Sequence, residues 1–139
     1  IRPSIHEVQI QPASLDVRVD NEVYYPEQDR LETEDAIKIE PGEFVLTQTL
    51  EHIGLPDNLG SFMTGRSSIG RSGLIVHTTA GWIDPGFHGT ITMEMYNVSQ
   101  TSVTVKAGER VAQLLFFKMA EPAVDEYDGQ YQSQIHPQK

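Results

Sequence analysis

The chain alternates apolar and polar residues in short runs, and turn residues separate the runs. A period of two places every second side chain on the same face of a strand, so these runs predict half-buried β-strands. The runs lie at residues 15–19, 37–39, 43–50, 90–98, 103–105 and 110–119. The turns read EPGE at 40–43, LPDNLG at 55–60, DPG at 84–86 and KAGE at 106–109. Strands this short and closely spaced predict an all-β sandwich or jelly roll.

One segment, GRSSIGRSG at 65–73, has the composition of a short helix. Ser67 or Ser68 is expected as its N-cap, and Gly73 as the residue that ends it. The segment also places Arg66 and Arg71 around hydroxyls and glycines, which suits an anion such as phosphate. A capped surface helix with solvated arginines is the more common outcome on the residues alone, so both interpretations stay open.

With 139 residues and no internal repeat, the chain is predicted to form one domain over residues 1–139. Its tail, residues 121–139, is polar and has no apolar period, which predicts a flexible C-terminal arm. Such a segment is usually a frayed terminus. Its Gln and Tyr residues also suit an arm that folds over a ligand or a neighbouring subunit.

Charge and composition exclude several function classes. The 20 acidic and 10 basic residues give a net charge of −10, and the scattered basic residues predict no groove for a nucleic-acid polymer. The acid excess suits either a salt-adapted protein or an ordinary acidic enzyme. No run reaches the ~18 apolar residues of a membrane span, and no signal-peptide pattern is seen, so we expect a cytoplasmic protein without a membrane partner. The chain has no cysteine, which excludes disulfides and thiol catalysis, and its 5 histidines form no zinc-like motif.

Two acids, Asp84 and Glu94, stand in the stretch TTAGWIDPGFHGTITMEMYN at 78–97. The simplest interpretation makes Asp84 the cap of its own Pro-Gly turn. Strand alternation places Glu94 on the face of Thr92, and the simplest interpretation there is a solvated acid. Nearby, Trp82 and Phe87 offer flat apolar surfaces on which a base could stack. His77, at the end of an apolar run, is most often a core or interface histidine.

Five blocks of the sequence, taken together, resemble the motifs of the dCTP deaminase and dUTPase superfamily. They are QPASLDVRV at 11–19, GRSSIGRSGL at 65–74, TAGWIDPGFHGTITMEMYN at 79–97, AGERVAQLLF at 107–116 and YDGQYQSQ at 127–134. The resemblance covers nearly the whole chain, and its two central blocks are highly specific. It implies a distorted β-barrel or jelly roll, a homotrimer with active sites between subunits, and a Mg²⁺-bound deoxynucleoside triphosphate as substrate.

Within the superfamily, Arg71 and Glu94 resemble dCTP deaminases rather than dUTPases. There the counterparts of these residues, with Ser67 and the carbonyl of Ala80, surround the attacking water. Zinc deaminases activate water with a metal held by His and Cys, whereas this chain has no Cys. A carboxylate must then take the proton, and Glu94 is the candidate general base, with a pKa expected to be raised by partial burial.

The motif TAGWID resembles bifunctional members that take dCTP through dUTP to dUMP and pyrophosphate. In the superfamily, the counterpart of Asp84 lies at the sugar and, in dUTPases, orients the water that attacks the α-phosphate. Two alternatives stay open, namely a dUTP diphosphatase alone and a non-catalytic nucleotide-binding regulator.

The resemblance also implies a set of ligand contacts. Asp16 matches an acid that helps to hold Mg²⁺ through water. Many members carry a Lys where this chain has Gln130, so one phosphate contact differs. The nucleotide-binding residues implied by the resemblance are Arg66, Ser67, Ser68, Gly70, Arg71, Asp84, Phe87, Thr92, Met93, Glu94, Gln113, Tyr127, Gln130 and Gln134.

Overall fold

A computed structural model describes residues 1–138, and Lys139, the last residue of the predicted arm, lies outside the described residues. The described chain consists mainly of β-strands, with a 3₁₀ turn at Glu7–Gln9 and one α-helix, α1, at Ser67–Arg71. The strands are β1 Leu15–Tyr25, β2 Arg30–Thr33, β3 Ala36–Ile39, β4 Phe44–Thr49, β5 Ile53–Gly54, β6 Leu59–Gly65, β7 Leu74–Ile75, β8 Trp82–Ile83, β9 His88–Gly89, β10 Thr92–Asn97, β11 Val103–Lys106 and β12 Arg110–Lys118.

One antiparallel sheet dominates the fold. Its strands follow the order β7-β10-β4-β1-β12-β6-β8, and β2 pairs with β1 beside β4. The long strand β1 pairs with β12 through its first half and with β2 and β4 through its second half, with register shifts between. Such irregularities bend a strand, so β1 curls the sheet around the core. Two ribbons, β3 with β11 and β5 with β9, complete the distorted barrel.

The alternation read from the sequence matches the core. In β10 the side chains of Met93 and Met95 are fully buried, whereas Thr92, Glu94 and Tyr96 are partly exposed. The six strands predicted from alternating runs are confirmed, and in chain order they correspond to β1, β3, β4, β10, β11 and β12. The all-β fold class with one short helix is also confirmed.

Strand β6 escaped the sequence pattern. Its sequence, LGSFMTG, contains two glycines and a serine, so it shows no clean alternation. Ser61 is nonetheless fully buried, and its hydroxyl donates to the carbonyl of Leu115 on β12 at 2.9 Å. Tertiary pairing with β12 along seven positions makes this segment a strand in spite of its weak propensity.

Helix α1 ends where the sequence predicts but begins differently. Gly73 adopts φ +90°, and its N–H donates to the carbonyl of Gly70 at 3.0 Å, so it closes the helix as predicted. The predicted serine N-cap is wrong, because Arg66 occupies that position and makes no side-chain cap bond. Extended backbone at Arg66, where β6 has just ended, sets the start instead. Within the described residues no helix is long and apolar enough to cross a membrane.

Candidate active site

A cleft of about 630 Å³ opens between β4, β8, β10 and the C-terminal tail. Its walls are largely apolar and aromatic, and its polar side chains come from β10, the segments on either side of β8 and the C-terminal tail. This composition is typical of a small-molecule site. Seven of the predicted site residues line it, namely Ala80, Asp84, Phe87, Thr92, Glu94, Tyr127 and Gln134.

Glu94 projects from β10 into this cleft and is partly buried. Its carboxylate accepts hydrogen bonds from the backbone N–H of Thr79 at 3.0 Å and from the hydroxyls of Thr79 and Thr78. Its own backbone N–H donates to Nδ1 of His77 at 3.4 Å. Hydrogen bonds therefore fix the Glu94 side chain in the cleft, and the interpretation of a freely solvated strand acid is wrong.

The pKa of Glu94 shifts in the direction opposite to the sequence expectation. Burial raises it, but the hydrogen bonds from Thr78 and Thr79 and the nearby His77 together lower it by more, so the net pKa lies below the ordinary value. The expectation of a raised pKa considered desolvation alone. Glu94 is consequently ionised at neutral pH and able to accept a proton.

The segment that holds Glu94 is fixed by its neighbours. Ala80 lines the cleft with a positive φ of 54°, which is uncommon for a residue other than glycine. The carbonyl of Gly81 accepts from the N–H of Met63 on β6 at 2.8 Å. A Cβ at Gly81 would lie 2.8 Å from the Met63 carbonyl oxygen and 2.9 Å from the ring of Phe62. Only glycine permits this close approach, which brings Ala80 to the cleft.

Asp84 lines the cleft from the turn after β8. The turn is closed by its backbone, since the carbonyl of Asp84 accepts from the N–H of Phe87 at 3.2 Å. The side chain instead accepts from the indole N–H of Trp82 at 2.8 Å. The prediction that the Asp84 side chain caps its own turn is therefore wrong, because the indole is its donor.

The tail packs along β9 and β10 of the same chain. The N–H of Tyr127 donates to the carbonyl of Pro85 at 2.9 Å. The Tyr127 ring packs on that of Phe87 with centroids 5.7 Å apart. Gln134 is buried, and its Nε2 donates to the carbonyl of Thr90 at 3.1 Å and to the hydroxyl of Thr92 at 2.5 Å. Its Oε1 is buried without a hydrogen-bond partner in residues 1–138, so an acceptor remains available at the cleft.

Two glutamines that the sequence did not single out hold this tail. Gln132 donates to the carbonyls of Gly86 and Tyr127 at 3.0 and 2.8 Å and accepts from the N–H of His88 at 2.8 Å. Gln48 on β4 donates to the carbonyl of Ile135 at 3.0 Å. Gln130, by contrast, is exposed and outside the cleft. The only sequence signal for Gln132 was the glutamine-rich composition of the tail, which does not distinguish it from Gln130.

A second group of predicted residues lies away from the cleft lining, on β1 and β12 and at the start of α1. Asp16 is 2% exposed, and its Oδ2 lies 3.0 Å from Nε of Arg66 and 3.0 Å from Nη1 of Arg110. Gln113 faces Asp16 in the register of β1 with β12 and accepts from the hydroxyl of Ser14 at 3.3 Å. We call Asp16, Arg66 and Arg110 the arginine cluster.

The remaining predicted residues stand apart from Glu94 within one chain. Ser67, Ser68, Gly70 and Arg71 are exposed on α1, and none of them lines the cleft. Within residues 1–138 the side chains of the two serines and Arg71 make no hydrogen bond or ion pair. Met93 is fully buried in the core on the other face of β10, so its side chain does not reach the cleft.

The expected role of Asp16 in holding Mg²⁺ does not fit its surroundings. Its carboxylate is already paired with two guanidinium groups, which neutralise it and repel a divalent cation. Hard cations require several oxygen ligands, and in residues 1–138 no group of three or more His, Asp or Glu side chains has a metal-binding arrangement. The contacts of Asp16 in the described chain are thus those of a structural residue, and a role through water toward Mg²⁺ held by the triphosphate stays a prediction.

Comparisons with known proteins agree with the fold and show the family. The sequence profile of the dCTP deaminase-like family matches residues 1–119. The chain is 40% identical over 147 residues to a protein of Sulfurihydrogenibium sp. named "dCTP deaminase, dUMP-forming", covering 94% of this chain and 81% of the relative. It is 41% identical to a protein of the same name from Persephonella marina, covering 91% and 79%. The chain belongs to the dCTP deaminase-like family, and the expectation of a hydrolase of this family is confirmed.

Solved structures with low sequence identity share the fold. A 2′-deoxycytidine 5′-triphosphate deaminase from Agrobacterium tumefaciens superposes with a TM-score of 0.71 at 20% identity, covering 83% of this chain. The chain spans 41% of the length of that protein. A dUTPase from the Staphylococcus aureus phage phi11, described with a structural Mg(II) ion, superposes with a TM-score of 0.63 at 16% identity, covering 92% and 90%.

Proposed function

We propose that this protein deaminates dCTP to dUTP and carries the dUTP on to dUMP and pyrophosphate. The observation that carries the proposal is Glu94, an ionised carboxylate held on the wall of a cleft of nucleoside size by neutral donors. Relatives at 40% and 41% identity that bear the name "dCTP deaminase, dUMP-forming" support both steps.

In the first step a water oxygen attacks C4 of the cytosine, and Glu94 takes a proton from that water. Glu94 passes that proton to N3 of the ring. It then takes the proton of the new C4 hydroxyl and gives it to the amino nitrogen as the C4–N4 bond breaks, so that ammonia departs and a C4 carbonyl beside N3–H remains. The lowered pKa keeps Glu94 ionised at neutral pH when the water arrives, although it also makes the carboxylate a weaker base. The absence of cysteine from the sequence supports activation of the water by Glu94 rather than by zinc. Ala80, through its carbonyl, lies on the same cleft wall and would orient the water.

In the second step Asp84 orients a second water toward the α-phosphorus. The bond between that phosphorus and the oxygen bridging to the β-phosphate breaks, which yields dUMP and pyrophosphate. Mg²⁺ enters with the triphosphate as part of the substrate, and when bound there it neutralises the departing pyrophosphate. Phe87 and Tyr127 would pack against the sugar and base, as their ring contact beside the cleft suggests.

We also propose that the site is shared between copies of the chain. Residues that line the cleft in the described chain include Asp84, Glu94 and His77 but no Arg or Lys. A triphosphate carries several negative charges and needs cationic and N–H donors. Helix α1 exposes Ser67, Ser68, Gly70 and Arg71. Within residues 1–138 the side chains of the two serines and of Arg71 make no hydrogen bond or ion pair. We therefore propose a homotrimer in which α1 of one copy faces the cleft of its neighbour, with Arg71 and Ser67 beside Glu94.

The tail provides the third wall of the site. The unpartnered Oε1 of Gln134 is a buried acceptor that a ligand N–H would satisfy. We propose that the chain is one domain and that its arm, residues 121–139, opens to admit the nucleotide and closes over it. We also propose a cytoplasmic location, where deoxynucleotide precursors are used.

The test is to incubate the protein with Mg²⁺ and either dCTP or dUTP, and to measure ammonia, dUTP, dUMP and pyrophosphate separately. The proposal predicts ammonia, dUMP and pyrophosphate from dCTP, and pyrophosphate from dUTP. It also predicts that a zinc chelator added with excess Mg²⁺ leaves ammonia release unchanged. Ammonia with dUTP but without pyrophosphate would reject the second step.

The main alternative is a dUTP diphosphatase alone. The cleft position of Asp84 and the dUTPase-like fold favour it as the second candidate. It predicts pyrophosphate from dUTP and no ammonia from dCTP, and it leaves Glu94 without a role. A nucleotide-binding regulator predicts binding of both nucleotides and no product from either.

A further inference from the structure

A second cavity, of about 310 Å³, lies outside the active-site cleft. It is lined by Ile1, Arg2, His52, Gly54 and His88, and we call it the histidine cavity. The ribbon of β5 with β9 forms one wall, because Gly54 pairs with His88. An antiparallel backbone bridge between Arg2 and His52 forms another wall. None of the five residues lines the active-site cleft, so the two sites are separate.

The side chains of the histidine cavity offer N–H donors, and its described lining contains no carboxylate. Within residues 1–138 the guanidinium of Arg2 and the ring of His52 make no hydrogen bond or ion pair. Nδ1 of His88 lies 3.2 Å from the hydroxyl of Ser133, which leaves Nε2 as the ring nitrogen without a partner in the same residues. A guanidinium is always charged, and an imidazole donates at least one N–H in either protonation state. In a chain with a net charge of −10, this unpaired set of donors favours an anion.

A metal ion is the alternative that two neighbouring histidines suggest, and the geometry opposes it. The rings of His52 and His88 are stacked, with centroids 6.3 Å apart and planes inclined by 20°, so their in-plane lone pairs do not point at a common centre. Burial lowers the pKa of the His52 imidazole, and the charges of His88 and Arg2 lower it further. A cation would add to this repulsion, whereas an anion between the three groups would offset it.

His88 connects the histidine cavity to the C-terminal tail. Its backbone carbonyl accepts from the N–H of Ser133 at 2.7 Å, and its backbone N–H donates to Oε1 of Gln132 at 2.8 Å. An anion that accepts from Nε2 of His88 fixes which ring nitrogen carries a proton, and so fixes the bond that Nδ1 makes with the Ser133 hydroxyl. A ligand of the cavity therefore acts on the residue to which the tail is bonded.

We infer that the histidine cavity binds an oxyanion of the phosphate class, and that its occupancy holds the tail against β9. Inorganic phosphate and pyrophosphate both present several oxygens, which Arg2, His52 and His88 can bond at the same time. The inference is independent of the proposed function, because no residue of the cavity takes part in either chemical step.

The test titrates the full chain separately with inorganic phosphate and with pyrophosphate, at constant pH and ionic strength, and follows the histidine ring signals by NMR. We expect the signals of His52 and His88 to shift and to saturate with a Kd of about 10 mM or lower for at least one of the two anions. The anion that binds more tightly identifies the ligand within this class. Signals that do not saturate in this range with either anion would overturn the inference.

Variants show whether the cavity itself is the site. Arg2→Gln removes the charged donor, and His52→Phe removes the ring nitrogens but keeps a ring against His88. Each should weaken binding by at least about tenfold, read from the His88 signal. Arg30→Gln, which removes an exposed arginine on β2, is the matched control and should bind as the wild type does. Arg71→Ala on α1 should also keep the binding, and its loss there with retention in Arg2→Gln would overturn the inference.

Limited proteolysis tests the connection to the tail. Cleavage within residues 121–138 should become slower when the anion saturates the wild type, and the anion should have no such effect on His52→Phe. Saturable binding with an unchanged rate of cleavage would overturn the connection. Neither measurement depends on deamination or on pyrophosphate release, so a failure of the proposed function leaves this result intact, and the reverse also holds.

Discussion

The cleft beside β10 and the arginine cluster on β1 place carboxylates in opposite electrostatic settings. Asp16 is buried between two guanidinium groups, which neutralise its charge and join β1 to β12 and to the start of α1. Glu94 is held by hydroxyl and amide donors that carry no formal charge. Asp16 is thus enclosed by ion pairs within the fold, whereas Glu94 lines the cleft.

The cleft and helix α1 each carry only part of the groups that a nucleoside triphosphate site needs. The cleft has acids and aromatic walls but no lysine or arginine among its described lining residues. Helix α1 has exposed hydroxyls and Arg71, and none of its residues lines the cleft. Each half lacks what the other has, which is the reason to expect that two copies meet at the site.

The largest effect is expected at Glu94. Glu94→Gln removes the proton acceptor and should reduce ammonia release from dCTP by roughly 100- to 10,000-fold, the usual contribution of a general base. Circular dichroism should show an unchanged fold. The matched control is Glu32→Gln on β2, which should deaminate normally. Near-normal deamination by Glu94→Gln would remove this residue from the chemistry.

A mixing experiment tests whether the halves come from different copies. Arg71→Ala and Glu94→Gln are each expected to be inactive alone. Co-assembly of the two variants by unfolding and refolding together should restore about a quarter of the wild-type activity, because random assembly leaves that share of sites intact on both sides. If the mixture stays inactive although both variants refold as oligomers, the site lies within one copy.

The arginine cluster should respond in stability rather than in metal dependence. Asp16→Asn leaves two guanidinium groups without their buried partner and should lower the free energy of unfolding by about 1–3 kcal/mol, allowing for the partial exposure of both arginines. The Mg²⁺ concentration for half-maximal activity should not change. Glu32→Gln, which breaks the exposed pair with Arg30, is the control and should cost less than about 0.5 kcal/mol in urea unfolding. A large rise in the Mg²⁺ requirement of Asp16→Asn would instead support the role in holding Mg²⁺ that the resemblance implies for Asp16.

A change at Thr78 tests why Glu94 stays ionised. The Thr78 hydroxyl helps to lower the pKa of Glu94, so Thr78→Val should let that pKa rise. Glu94 works as a base only when ionised, and the acid limb of the pH–rate profile for deamination should therefore move to higher pH. Thr78→Ser keeps the hydroxyl and should retain the wild-type limb. A limb that moves to lower pH, or that stays in place, would contradict this cause.

The smallest effect is expected at Gln132, which holds the tail without lining the cleft. Gln132→Ala removes three hydrogen bonds and should raise the KM for dCTP by about 3- to 10-fold, since each such bond contributes about 1 kcal/mol and water replaces part of it. Limited proteolysis within residues 121–138 should become faster. Asp128→Ala, an exposed tail residue, is the control. Equal proteolysis of the two variants would show that Gln132 does not fix the tail.

Local pattern was sufficient for much of the fold. Alternation located six strands and assigned Glu94 to its face of β10, because a period of two is a property of the strand itself. The φ of Gly73 followed from the need of a helix end for a left-handed residue. Strand β6 and the N-cap at Arg66 were missed, since pairing with β12 and the preceding strand decide them rather than local propensity.

The sequence by itself determined the class of fold, the family and most of the residue types that the chemistry needs. It could not determine which carboxylates are paired inside the fold and which line the cleft. Asp16 and Glu94 look alike as strand acids, and their difference arises because Arg66 and Arg110 are brought to one, and Thr78 and Thr79 to the other. Hydrogen bonds, ion pairs and burial depend on what lies nearby in space, which only the tertiary structure decides.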